Sequence, residues 1–427
     1  MHRHRLTFFV TTLVFVAIVG FGVSLLARGY RFNPQKLEIS PSGILVVTSS
    51  PDGAQILING QLETATNATI TLAPSTYDVE VKKEGYLPWK KRLDIKKEEV
   101  TKVDTVLFPA APNLSALTFS GAANPVLSPD GNKLVFGIPA DPQSSKENNK
   151  GGLWVMDLGN LPIGFSSEAR QITNISIAQA NWFWSPDSRH ILIVTPTSTF
   201  VTPATQFNPE TSLINLQGAR LTQILSEWKE EEEKRKESNL GNLDPQLKDF
   251  FERKTSKTTF SPDGKKVMYI ALADAQVPSG VISEIPGSST QKEERNVKKG
   301  STYIFDLKED KNFLVTNQKA YLENANPSYN PALSPENKIT TLPQAVTKLE
   351  KFDTKISWFA SSNHVVIAQK DKVTIQDYDG TNQQVVFSGS YESPYAIPSP
   401  STNRLIMLTR FGAGGGTSGN LYSLSLK

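Results

Sequence analysis

The sequence predicts an all-β chain behind one N-terminal membrane helix. Three observations carry that expectation. Leu6 to Ala27, LTFFVTTLVFVAIVGFGVSLLA, holds no charged residue. Short β-rich runs separated by Pro, Gly and Asn fill most of the rest of the 427-residue chain. One tetrapeptide, Ser-Pro-Asp-Gly, occurs at Ser50–Gly53, Ser128–Gly131 and Ser261–Gly264, with a near copy at Ser185–Ser188.

The apolar segment comes first. At about 1.5 Å per residue it reaches across the ~30 Å hydrocarbon core of a bilayer. A cleaved signal peptide is the competing reading. The run is longer than such segments need, and Leu25-Leu26-Ala27 makes a poor cleavage site. An uncleaved anchor, contacting lipid through Leu6–Ala27, is expected, with a short tail at 1–5 and a linker at 28–42. Arg3 and Arg5 precede the span, and Arg28, Arg31 and Lys36 follow it, so the basic residues nearly balance. The expected topology is a single-pass protein with a cytoplasmic N-terminus and an extracytoplasmic bulk.

Bulk composition narrows the function classes. Lys and Arg total 45 against 42 Asp and Glu, a net charge of +3. A nucleic-acid-binding body would concentrate basic residues, so no nucleic-acid partner is expected. Cysteine is absent. Disulfides, thiolate zinc sites and cysteine nucleophiles are therefore excluded.

The first tetrapeptide lies in residues 43–109. Gly43-Ile44-Leu45-Val46-Val47-Thr48 precedes it, and Asn59-Gly60 follows as a hairpin turn in which both residues tolerate positive φ. Further strands are expected at Ala68–Leu72, Tyr77–Val81, Lys91–Ile95 and Val103–Leu107. Together they predict a small antiparallel β-domain. This stretch resembles the PEGA domain, a β-sandwich-like module. Pro51-Asp52-Gly53-Ala54 stands at the name-giving tetrapeptide, Ile58-Asn59-Gly60 at the hairpin, and Gly85-Tyr86 at a further signature. Two glycine positions of the pattern differ here: the loop reads Glu63-Thr64-Ala65-Thr66, and Ala73-Pro74-Ser75 precedes the next strand. The resemblance implies a binding or spacer module without catalysis.

The later copies share a different context. Each is followed by a basic residue or two and a short apolar strand: Lys133-Leu134-Val135-Phe136, His190-Ile191-Leu192-Ile193, Lys266-Val267-Met268-Tyr269. Degenerate members begin at Phe359 and Ser399. Strands ending in Asp-Leu or an equivalent follow, as in Leu153–Leu158, Thr302–Leu307 and Val373–Tyr378, then a fourth strand such as Gln171–Thr173. Four short strands per unit are the content of a β-propeller blade. Five blades are expected over 113–427, or six if Ser334–Ile339 opens another. Leu114–Phe119 is a spare strand expected to complete the last blade and join the two ends of the ring. The units resemble TolB-like, WD40-like (PD40-type) propeller repeats. That resemblance implies the fold; propellers host many functions.

Insertions interrupt the series. A helix is expected from Ala219 to Glu237, laced by Glu230–Lys234, Glu231–Arg235 and Glu232–Lys236, and a second follows Asp244 with Pro245 in its first turn, so the insertion spans about 219–253. A third is expected from Pro343. Asp141–Lys150 and Pro286–Gly300 read as polar loops.

No catalytic, cofactor-binding or metal-binding residue is assigned. His2 and His4 precede the span, and the equivalent places of His190 and His364 follow from repeat register. Asp377–Asn382 lacks the distal Glu of a calcium loop and reads as a hairpin turn. Gly412–Gly419 has no Lys and precedes a strand, unlike a phosphate loop. Trp154, Trp182, Trp184 and Trp358 are expected in blade cores, and the Glu/Lys helix is expected to be a solvated face. No Ser–His–Asp set is expected. The resulting expectation is a membrane-anchored binding or scaffolding protein, in which the PEGA-like module lifts the propeller from the membrane and a propeller face binds a protein or cell-envelope polymer. The alternative is a propeller glycosidase or lyase acting on an envelope polysaccharide, which needs several carboxylates at a channel mouth. A sensor would have only the 1–5 tail for a cytoplasmic partner. No cofactor is expected, and the ligand-binding residues stay open.

Overall fold

A computed structural model describes residues 2–27, 30–33, 38–140, 151–159, 168–282, 291–317, 356–399, 402–410 and 419–427. The chain is mostly β behind one N-terminal helix, His2–Ala27. Within that helix Thr7–Ser24 has a mean hydropathy of 2.1 and no buried residue, so it is long and apolar enough to cross a membrane. The linker expected after it contains a paired turn of strand, Arg31–Asn33 against Glu38–Ser40. Two compact units divide the chain, one mainly before Pro109 and one mainly after it.

In the first unit two sheets enclose one core. Gly43–Ser50 lies between Ala68–Leu72 and Val100–Val106, and Gln55–Ile58 lies between Gln61–Ala65 and Ser75–Lys82, with Trp89–Ile95 on the outer edge of the latter. Alternate residues Leu45, Val47, Ile56, Ile58, Val79, Val81, Leu93 and Ile95 point inward, as a half-buried strand requires. The expected all-antiparallel pairing is corrected at one place. Gly43–Ser50 and Val100–Val106 run parallel, Ile44 beside Val100 and Ser50 beside Val106. These strands are far apart in sequence, so no hairpin fixes their direction. Glu63-Thr64-Ala65, expected as a loop, are in strand. Asn59 and Gly60 take positive φ, 50° and 82°, as the hairpin demands. Asn67, at φ 67°, makes the turn that a glycine would otherwise make, and its N–H donates to Val47 O at 2.9 Å.

In the second unit the described residues form five larger antiparallel sheets. The first is Ala123–Leu127, Lys133–Ile138, Gly152–Asp157 and Arg170–Thr173; the third is Thr255–Phe260, Lys266–Ala271, Thr302–Asp306 and Lys311–Thr316; the fourth is Ile356–Trp358, His364–Ala368, Lys372–Asp377 and Gln384–Ser388. The second differs from expectation. It has three strands, Asn181–Trp184, His190–Val194 and Thr199–Pro203. The fifth joins chain ends: Ala396–Pro398, Arg404–Thr409 and Asn420–Ser425 are completed by Asn113–Ala116, with Leu114 opposite Leu424. Leu117 N–H extends this pairing to Leu421 O at 2.8 Å.

Helices Gly218–Leu240 and Pro245–Lys254 fill the insertion. Asp244 caps the second, accepting Gln246 N–H at 2.8 Å, with Pro245 at its first turn. On the first, Leu225 and Trp228 pack against Phe183, Leu192 and Val194. Beyond Trp228 the side chains are exposed to Asn239. There Glu230 meets Lys234 at 2.7 Å and Lys229 meets Glu233 at 3.4 Å, so this stretch is solvated as expected. In the expected polar loop Pro286–Gly300, Asn296–Val297 pairs with Ala275–Gln276. The helix expected from Pro343, the sixth turn at Ser334–Ile339 and the loop Asp141–Lys150 lie outside the described residues.

Candidate functional site

Antiparallel strands put the turns between first and second strands at one end of each sheet and those between second and third at the other. The repeated tetrapeptides form the first end. Ser128 Oγ donates to Asp130 Oδ1 at 2.5 Å and accepts Lys133 N–H at 2.9 Å, while Asp130 Oδ1 accepts Asn132 N–H at 3.1 Å. The same bonds recur at Ser185, Asp187, Arg189 and His190, and at Ser261, Asp263, Lys265 and Lys266. The copy at Ser50 is wired differently: Ser49 Oγ donates to Pro51 O, and Lys83 Nζ to Asp52 O. One sequence motif therefore serves two local structures. For Asp130, Asp187 and Asp263 burial raises the carboxyl pKa, but the Ser hydroxyl and backbone N–H donors outweigh it and hold each below its ordinary value.

These turns also link sheets. Asp130 N–H donates to Ser188 Oγ of the second sheet at 3.0 Å, and Asp263 N–H donates to Ser362 Oγ of the fourth at 3.0 Å. Lys133 Nζ reaches Ser188 O at 3.4 Å, and Lys266 Nζ reaches Asn363 Oδ1 at 3.2 Å while lying 4.6 Å from the Tyr378 ring centre. Indole N–H groups repeat the pattern inside: Trp182 to Asn124 O, Trp184 to Val126 O, Trp358 to Thr259 O. Trp182 and Trp184 are core residues as expected, and Trp154 and Trp358 are partly buried against core clusters. Between the fifth and first sheets Tyr395 OH donates to Asn124 Oδ1 at 2.9 Å.

The fourth sheet brings together a set the sequence did not suggest. Ser361 Oγ lies 2.7 Å from His364 Nδ1, and His364 Nε2 lies 3.4 Å from Asp377 Oδ1. His364 is only 3 % exposed and Asp377 6 %, so no substrate carbonyl can approach the pair. The register makes this a structural position. His364 faces Asp377 across two strands, as Lys133 faces Asp157 and Lys266 faces Asp306. His190, at the same register, faces Pro203. Asp377–Asn382 is a hairpin turn: Gly380 N–H closes on Asp377 O at 3.0 Å and Asn382 Nδ2 donates to Asp377 Oδ2 at 3.2 Å. Among the described residues no group of three or more His, Cys, Asp or Glu could hold a metal ion. Gly412 to Ser418 lie outside the described residues.

The opposite end carries the candidate site, a cleft of about 740 Å³ between the fourth and fifth sheets. Such a volume lies within the range of small-molecule sites, about 300–1,000 Å³. Lys370 and Asp371 come from the turn after His364–Ala368. Ser388 to Ser393 form the link into the fifth sheet, and Arg410 follows Arg404–Thr409. The floor is pinned by backbone. Gly389 N–H donates to Asp371 O at 3.0 Å, Thr409 Oγ1 to Ser390 O at 2.8 Å, and Glu392 N–H to Leu408 O at 2.8 Å. Tyr391 is buried; its hydroxyl donates to Gln369 O and its ring packs edge-on to Phe387. Arg410 Nε donates to Glu392 Oε1 at 2.8 Å, with the two side chains 52 % and 17 % exposed. None of these residues was singled out in the sequence. Their only signal is composition: Ser388-Gly389-Ser390-Tyr391-Glu392-Ser393 is hydroxyl-rich where a link between two sheets needs only a turn.

Residues 42–110 match the PEGA domain family. No curated protein sequence is significantly similar to the chain. Among solved structures, a putative TolB from Agrobacterium tumefaciens is 11% identical, with 71% of this chain and 73% of that one covered and a TM-score of 0.20. TolB from Acinetobacter baumannii is also 11% identical, at a TM-score of 0.19; the match covers 90% of this chain and 63% of that one, so the chain spans less than two thirds of its length. A luciferin-regenerating enzyme is 6% identical, with coverage of 74% and 95% and a TM-score of 0.28.

Proposed function

We propose that the chain is a single-pass membrane protein that binds a protein or cell-envelope polymer outside the cytoplasm. Residues 6–27 are its anchor, 43–109 its PEGA domain and 113–427 a five-bladed propeller with a helical insertion at about 219–253. The observation that carries this reading is the pairing of Asn113–Ala116 with Asn420–Ser425. A first strand that completes the last sheet ties the two ends of the repeat series together, as a ring of blades requires, and a ring converges the loops of every blade on common ends. Loops so gathered surround a ligand with many weak contacts. The anchor rests on a helix whose apolar surface the described residues leave uncovered.

Because the chain has no cysteine, single substitutions report topology. Phe119, 85 % exposed, is the external probe and His2 the internal one. In intact cells a membrane-impermeant maleimide is expected to label Phe119→Cys and to leave His2→Cys unlabelled until lysis. Labelling of His2→Cys alone overturns the orientation. Release of both variants into the soluble fraction overturns the anchor.

A further inference from the structure

From the cleft between the fourth and fifth sheets we infer a site for a carboxylate-bearing saccharide, such as a uronic-acid unit of a polymer. This rests on the binding reading above only for where the ligand is met. Among the described residues, Lys370 and the side chains of Asp371, Ser388, Ser390 and Ser393 take part in no hydrogen bond or ion pair, and Arg410 uses only Nε. The cleft therefore presents two cationic donors, three hydroxyls and one carboxylate with their bonding capacity unspent. Cations and hydroxyls lining one cleft suit a carboxylate, because Arg410 keeps its terminal nitrogens for paired N–H donation. Asp371, an acceptor with two oxygens, suits neighbouring sugar hydroxyls.

The same inventory disfavours other ligands. A phosphate dianion brings two negative charges into a cleft lined by Asp371 and Glu392, where a uronate brings one, so phosphate is repelled more strongly. A nucleobase or aromatic ligand needs a free ring face, and Tyr391 is buried against Phe387. Peptide sites offer apolar or aromatic anchor pockets. Here the lining is Lys, Asp, Ser, Gly, Glu and Arg around that one tied-down Tyr.

The test is calorimetric titration of the full chain in detergent micelles with oligogalacturonate, its carboxyl-reduced neutral counterpart and inorganic phosphate. Saturable binding of the uronate is expected. It should weaken about tenfold or more in Arg410→Gln and Lys370→Gln, as loss of a charge-assisted bond implies. The neutral oligomer should bind more weakly, and phosphate should not compete. Lys370→Gln breaks no described contact, so its melting temperature should match the wild type and separate ligand loss from misfolding. Equal affinity for the neutral oligomer, competition by phosphate, unchanged affinity in both variants, or no uronate binding each overturns the assignment. Co-sedimentation with isolated cell-envelope polymer separates the two readings. If the wild type and both variants sediment alike, envelope binding stands and the cleft assignment falls. If nothing sediments and no oligomer binds, both fall.

Discussion

At the scale of residues, the fourth position of the turn shows a choice between conformation and contact. Gly131 and Gly264 sit at φ 74° and 70°, where a side chain is strained. Ser188 and Ser362 accept that region, both at φ 60°, because their hydroxyls receive the Asp130 and Asp263 N–H groups of the neighbouring sheet. Ser188→Ala keeps the strain and removes the acceptor, so it should destabilise by about 1–3 kcal/mol. Ser188→Gly also loses the bond but relieves a left-handed conformation worth about 1–2 kcal/mol, and should fall between. Urea unfolding of the three proteins checks the order; an alanine variant as stable as the wild type would show that the hydroxyl contributes nothing. The aspartates add a pH dependence. Their native pKa values lie below the unfolded value of 3.8, so their stabilisation is complete above that pH and is lost as pH falls through the native values. Melting temperature should drop below about pH 4, and Asp130→Asn, Asp187→Asn and Asp263→Asn together should flatten that slope.

At the scale of elements, helix Pro245–Lys254 is held by one face. Leu247, Phe250 and Phe251 are buried, and Phe251 meets Tyr269 and Phe305 edge-on at 5.4 and 6.1 Å between ring centres. Burial pushes the Tyr269 phenol well above its ordinary pKa, and its hydroxyl donates to Asn312 Oδ1 at 2.8 Å. Phe251→Ala should cost about 3–5 kcal/mol in denaturant unfolding. The start of this helix was legible from Asp244 and Pro245, because a cap and a fixed φ act locally. Gly137 was not. A Cβ there would lie 2.9 Å from Trp182 Cη2 and 2.7 Å from Ile177 Cδ1, so the residue is Gly because another sheet's indole covers it. Gly137→Val should destabilise by about 1–3 kcal/mol through overpacking, with Gly159→Val, which meets nothing among the described residues, as its neutral control.

At the scale of the molecule, the fifth sheet is made from both ends of 113–427. Ser115 stands directly opposite Ser423, 308 positions apart in sequence. Paired positions in antiparallel strands hold Cβ atoms about 4.5–5.5 Å apart, near disulfide geometry. In this cysteine-free chain, Ser115→Cys with Ser423→Cys should form one intramolecular crosslink, seen as a reducible mobility shift. Without that crosslink under oxidation, the pairing, and with it the proposed ring closure, would be refuted.

Sequence alone determined whatever depends on neighbours in the chain. It fixed the apolar span, the turns at Asn59-Gly60 and in the later Ser-Pro-Asp-Gly copies, the strand runs between them and the cap at Asp244, because each follows from local sterics, periodicity or hydrogen bonding. Tertiary structure decided the parallel direction of Gly43–Ser50 and Val100–Val106, the Ser188 and Ser362 links, the buried Ser361–His364–Asp377 contact and the cleft beneath Arg410. Each of these joins segments that pattern leaves unrelated, and only packing in three dimensions selects which distant groups meet.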